Sequence, residues 1–150
     1  MALDCFSCSQ EPQLDQLAPR ERVAWDEHWR VAHCFGTSLP GWLVLLPRRH
    51  VTAVAELTPA EAEALGTWQV RLSQALHAVT GCAKTYVVQF AEAPGFGHVH
   101  FHVIPRAGDL PERLRGPGVF GLLEVDPADE VGESDRDALA LALRAHLERP

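Results

Sequence analysis

His98-Val99-His100-Phe101-His102-Val103-Ile104 alternates with a period of two. In an extended strand successive side chains point to opposite faces, so the three histidines share one face and Val99, Phe101 and Val103 share the other. The apolar face is read as packing on a core. The other face then carries a row of imidazoles spaced ~6.5–7 Å apart. Three of the chain's eight histidines at strict alternation speak against three unrelated half-exposed rings. Two chemistries suit the row. Neighbouring strand histidines can share a zinc ion, although the outer two start ~13 Å apart and one ion hardly collects all three. Alternatively, a neutral imidazole attacks phosphorus while its neighbours hold oxygens and protonate the leaving group.

Working outward, residues 86–91 read as a strand, joined to the histidine strand by the loop Ala93-Pro94-Gly95-Phe96-Gly97. Thr58-Pro59-Ala60-Glu61 has a hydroxyl cap, a proline at the first helical position and a glutamate that caps back. Leu65, Trp68, Leu72, Leu76 and Val79 follow at helical spacing, and Gly81 supplies the stop. Trp42-Leu43-Val44-Leu45-Leu46 is an apolar run of strand length after the turn Leu39-Pro40-Gly41, and residues 25–35 read as one or two further strands. Residues 9–19 read as an irregular lead-in or short helix, 106–133 as irregular, and 134–147 as a closing helix. Adjacent strands with one intervening helix imply an antiparallel sheet backed by helices, an α+β fold. One domain over 1–150 is expected, with its motifs between about 5 and 106.

Thirteen basic against twenty acidic side chains give a formal charge of −7. That balance argues against a long nucleic acid as partner, since such affinity comes from basic side chains neutralising phosphates. A small phosphorylated ligand remains compatible, because a few arginines in one cleft outweigh the global field. No apolar run approaches the ~20 residues that cross a bilayer, and Met1-Ala2-Leu3-Asp4 lacks the features of a secretory signal, so no membrane partner and a cytoplasmic address are expected. Disulfides are then unfavoured, and Cys34 and Cys82 read as buried thiols. Cys5-x-x-Cys8 has a metal-ligand spacing, a weak signal alone. Trp25, Trp29, Trp42 and Trp68 form either a base-stacking wall or, for most of them, core or dimer surface, the core being favoured for Trp68. Arg48, Arg49 and Arg106 are either phosphate ligands or solvated.

The triad with Pro105-Arg106 after it resembles the signature of the histidine-triad (HIT) superfamily. Gly41-Trp42-Leu43-Val44-Leu45-Leu46-Pro47-Arg48-Arg49-His50-Val51 is similar to the family's glycine, apolar strand, proline, basic and histidine segment. The helix from Thr58 falls where the family places one, and Cys5-Phe6-Ser7-Cys8 resembles the paired cysteines of its zinc-bearing branch.

The resemblance implies a HIT-like antiparallel sheet of about five strands with two main helices, often homodimeric, that binds a nucleotide, by default an adenine nucleotide. It makes His100 the nucleophile on the α-phosphorus and places His102 beside the phosphate and leaving group. His98 either supports the nucleophile against substrate or serves as a ligand, and Cys5, Cys8, His50 and His98 would hold a structural Zn²⁺. Family members often have histidine where this chain has Trp42, and an Asn-x-Gly and a glutamine before the triad. Residues 92–97 contain neither amide, so Gln89 is the nearest candidate for the substrate, with Arg106 as a basic one. Together these features imply a hydrolase or transferase acting on a nucleotide phosphoanhydride, phosphoester or phosphoramidate. A nucleotide-binding module without catalysis, and a zinc hydrolase built on the triad, are the alternatives.

Overall fold

The computed structural model describes residues 4–150; Met1, Ala2 and Leu3, which enter the reading of the N-terminus, lie outside them. Five strands form one antiparallel sheet: β1 (Ala24–Trp25), β2 (Trp29–His33), β3 (Leu43–Pro47), β4 (Lys84–Gln89) and β5 (Phe101–Arg106), in the order β1-β2-β3-β5-β4. Three α-helices accompany it: α1 (Phe6–Gln10), α2 (Pro59–Thr80) and α3 (Glu133–Leu147). The α+β sheet, its antiparallel pairing and the two main helices agree with the sequence reading. Of the stretch 106–133, expected to be irregular, Arg106 closes β5 and Glu133 opens α3, and between them run three 3₁₀ segments, Glu112–Leu114, Gly116–Leu122 and Pro127–Asp129.

Alternation sorts the sheet into two faces. Trp29 and Val31 of β2, Leu43 and Leu45 of β3, and Phe101 and Val103 of β5 pack with Trp68, Leu72 and Leu76 of α2 and Ala140 and Leu143 of α3. The opposite face buries Trp42 and Ile104 against Val119, with Phe120, Leu122 and Leu123 alongside. α2 starts as its sequence dictates: the Thr58 hydroxyl accepts from the Glu61 amide at 3.2 Å, and the Glu61 carboxylate accepts from the Thr58 amide at 2.8 Å. Arg49 donates to the same carboxylate, so it is a structural partner of the cap. Arg48 likewise pairs with Glu11.

β5 begins at Phe101, three residues later than the expected strand, because both neighbours leave it at once. Continuing the β3 register would set Val99 opposite Pro47, which has no N–H to give. Continuing the β4 register would set it opposite Ala91, whose φ of +56° leaves the extended region. Val99 instead donates its amide to Val51 at 2.7 Å. His98 and His100 are thereby carried on a bend, where their rings are free of the ladder's spacing.

Gly41 turns the chain into β3 at a φ of +89°, where an added Cβ would lie 3.2–3.3 Å from Thr80, Leu76 and Pro105. Its amide donates to Nε2 of His33 at 2.9 Å, while Nδ1–H of His33 donates to the Cys34 carbonyl at 2.7 Å. His33, to which the sequence assigns no role, therefore staples both ends of the β2–β3 connection.

Candidate active site

A cavity of about 340 Å³ lies on the sheet face away from α2. Arg30, Ala32 and Cys34 from β2 and its end, Val44 and Leu46 from β3, and His100 and His102 form its floor. These positions differ by two along each strand, as one face requires. Phe6, Phe35, Phe90, Phe96 and Phe120 supply aromatic walls. The rings of Phe6, Phe35 and Phe96 form a trio with centroids 5.4–5.9 Å apart, so α1 and the loop before the triad meet over the opening.

No tryptophan belongs to this wall, which corrects the base-stacking alternative. Trp29 and Trp68 are core, with Nε1–H donating to the Glu61 carbonyl at 3.0 Å and to Asp26 at 2.8 Å respectively. Trp25 lies half-exposed between Arg22 and Arg144.

Each triad ring has one nitrogen committed to a neighbour, and that partner sets its tautomer. A backbone carbonyl accepts only, so Nδ1–H of His100 donates to the His98 carbonyl at 2.8 Å. Nε2 of His100 then carries a lone pair and bonds no group among the described residues. His102 accepts at Nδ1 from the indole Nε1–H of Trp42, 2.9 Å away. The two rings stand 5.0 Å apart between centroids.

His98 is turned elsewhere. Its Nε2–H donates to the Pro47 carbonyl at 2.7 Å, and its Nδ1 lies 3.6 Å from both Cys5 Sγ and Cys8 Sγ. Nδ1 of His50 lies 3.2 Å from Cys8 Sγ, and the four donor atoms all fall within 4.8 Å of one another. Bonds of ~2.3 Å to sulfur and ~2.05 Å to nitrogen give S···N edges of ~3.6 Å in a tetrahedron, so the spacing fits zinc. The Pro47 carbonyl fixes the His98 tautomer and its ring orientation, as an outer partner of a metal ligand does. Four protein donors fill the coordination, which marks a closed, structural site.

Three expected substrate contacts are placed outside the cavity. His98 belongs to the cysteine cluster, with Nδ1 facing the two sulfurs and Nε2–H spent on the Pro47 carbonyl. Gln89 pairs with Phe101 in the β4–β5 ladder and so shares its face, opposite the histidines. Arg106 sits four residues beyond His102 and donates to the Ala107 carbonyl. Cys82 is buried as expected, whereas Cys34 is half-buried and lines the cavity, where burial pushes its thiol up to about 12. At the end of the cavity near α1 lies a polar group that the sequence did not flag. Arg30, itself buried, donates to Gln10 Oε1 at 3.2 Å and to the Glu21 carbonyl at 2.6 Å. A charged residue inside an otherwise apolar strand was its only visible signal.

Burial holds His33 and His102 at about 4, with Arg136 adding to the effect at His33 and His100 at His102. The unfolded chain, with both near 6.5, binds more protons between those values. Stability is therefore full above pH 6.5 and falls as pH drops toward 4, by about 1.4 kcal/mol per unit for each ring. Urea midpoints at pH 7, 6 and 5 should decline in that order, and an unchanged midpoint across them would contradict the assignment.

The HIT domain model matches residues 16–109, and the chain belongs to the HIT-domain family. Its Cys5, Cys8, His50 and His98 cluster fits the family's zinc-bearing branch. Solved structures with the same fold include a hypothetical histidine triad nucleotide-binding protein from Sulfolobus tokodaii, at 18% identity and a TM-score of 0.71, covering 96% of this chain and 92% of that one. A Zn-bound histidine triad family protein from Mycobacterium smegmatis matches at 19% identity and a TM-score of 0.67, covering 95% and 92%. A Hit-like protein involved in cell-cycle regulation from Bartonella henselae matches at 16% identity and 0.69, covering 92% and 93%. Among the described residues, no helix is long and apolar enough to cross a membrane.

Proposed function

We propose that this protein is a nucleotide hydrolase or nucleotidyltransferase working through a covalent nucleotidyl-histidine on His100. The observation that carries the reading is the 2.8 Å bond from His100 Nδ1–H to the His98 carbonyl, which leaves the Nε2 lone pair in a cavity of nucleotide size. Nε2 attacks the α-phosphorus, the bond from phosphorus to the leaving group breaks, and the leaving group departs with that electron pair. Water then attacks the same phosphorus and loses one proton to solvent, the N–P bond returns its pair to Nε2, and a nucleoside monophosphate is released. The aromatic walls suit a base, by family default adenine, and His102 Nε2–H suits a phosphate oxygen. Zinc on Cys5, Cys8, His50 and His98 would tie α1 to the bend that carries the triad. Pairing of two copies is supported by the open sheet edge at β4, where Val87 is 42% exposed and Phe90, just beyond it, 61%.

Acid-free quenching of wild type with a radiolabelled dinucleoside polyphosphate should trap label on the protein, stable to base and labile to acid. Tight binding of AMP in calorimetry with no turnover on any substrate would favour the non-catalytic module. Zinc hydrolysis by the triad is disfavoured by the separation of His98, which faces the cysteines, from His100 and His102, which face the cavity.

A further inference from the structure

The third ring of the triad is held in a way that limits what it can do. Trp42 is fully buried, and its indole N–H, a donor only, points at His102 Nδ1 from 2.9 Å. Nδ1 must keep its lone pair to accept that bond, so the proton of the neutral ring sits on Nε2. Trp42, His100 and Phe120 stand nearly edge-on to the ring, at 86°, 75° and 87° with centroids 5.0–5.7 Å away. A second proton has only Nδ1 to go to, and Trp42 occupies that position. Burial, with His100 alongside, opposes the same charge and holds the group at about 4. At neutral pH His102 is thus a fixed donor at Nε2. It can polarise an oxygen, but releasing its one proton would leave an imidazolate.

Among the described residues that line the cavity, neither of the other histidines replaces it as a proton source. Both nitrogens of His33 are used by backbone, and His100 spends Nδ1–H on a carbonyl. The Cys34 thiol donates to the Phe35 carbonyl, Arg30 spends its N–H groups on Gln10 Oε1 and the Glu21 carbonyl, and the Glu21 carboxylate accepts from Gln10 Nε2. Leaving groups differ in what they need. An anhydride oxygen leaves with the P–O electron pair as a phosphate oxyanion, stable without a proton. The nitrogen of a phosphoramidate and the oxygen of an alkyl ester must gain a proton as the bond breaks.

We propose that Trp42 is a positioning residue which, by locking His102 as a neutral Nε2–H donor, confines this site to phosphoanhydrides and excludes phosphoramidates and alkyl phosphoesters. The inference rests on the His100 reading above. In the step it describes, His100 Nε2 bonds to phosphorus, the anhydride P–O bond breaks, and the departing oxyanion accepts a hydrogen bond from His102. No proton changes hands.

Wild type should be compared on a dinucleoside polyphosphate and a nucleoside phosphoramidate of the same base. General acid catalysis contributes about 10²–10⁴-fold, so kcat/KM should favour the anhydride by at least about 10²-fold. In Trp42→His the new ring can accept as well as donate, His102 can take a second proton, and the preference should shrink by ~10-fold or more. Nitrogen-15 spectra of wild type, read apart from activity and from the stability of any variant, should show pyridine-type Nδ1 and pyrrole-type Nε2 for His102 from pH 5.5 to 8. Comparable rates on both substrates, or protonation of Nδ1 within that range, would overturn the inference and leave the His100 intermediate standing. Failure of both substrates to label the protein would overturn the His100 reading and this inference with it.

Discussion

His100→Ala should lose turnover by at least about 10³-fold while keeping its fold, because the variant removes the nitrogen that bonds to phosphorus. The ring contributes little to the core. It is half-buried, its one protein hydrogen bond goes to the His98 carbonyl, and the flanking Val99 and Phe101 that fill the core are untouched. Circular dichroism and the thermal midpoint should therefore stay close to wild type, and no labelled protein should appear after quenching. The loss should fall on kcat, since the bond in question forms only during the reaction. His102→Ala tests a different point. It removes a hydrogen-bond donor to the departing oxygen, a contribution of about 10²–10³-fold, so it should leave some labelling. Wild-type rates in His100→Ala would end the covalent mechanism outright.

Freshly purified protein should contain one zinc per chain, and Cys8→Ser should lower the thermal midpoint by about 10 °C or more. The size follows from structural zinc, which contributes several kcal/mol to folding, at about 2–4 °C per kcal/mol for a chain of this length. The chain gives a specific reason for the loss to spread. Cys5 and Cys8 flank the start of α1, His50 follows β3, and His98 opens the bend before β5, so one ion would join three separated segments. The carbonyl of His98 also accepts the Nδ1–H of His100. Strong chelation should thus lower activity along with stability, and the activity should return when Zn²⁺ is restored. Elemental analysis finding no zinc in protein that has never met a chelator would remove the metal from the account.

The parts of the fold that follow from local rules were legible in the sequence. Thr58, Pro59, Glu61 and Gly81 bracket α2 because capping chemistry acts within a few residues. The triad's alternation separated Val99, Phe101 and Val103, which are core, from the histidines, but the strand starts only at Phe101, so His98 leaves the face of His100 and His102 for the cysteines. What escaped depends on pairs far apart in the chain. Gln89 was misplaced because its face is fixed by pairing with Phe101, a register that only the assembled sheet defines. The start of β5 was misjudged because Pro47 and Ala91, from two other segments, end its ladders together. His33 gave no signal, since both its partners are backbone atoms. Trp42 stood out by type, but its hydrogen bond reaches across sixty positions to His102.

Phe120, Leu123 and Glu124 border the cavity, and Phe120 rests edge-on against His102. All three lie past residue 109, where the match to the HIT domain ends. The reacting rings thus rest on a floor within the matched stretch, while the walls above them combine Phe35, Phe90 and Phe96 from that stretch with these three residues beyond it. Exchanging Phe120, Leu123 or Glu124 would redraw the shape offered to a guest molecule while every histidine stayed in place.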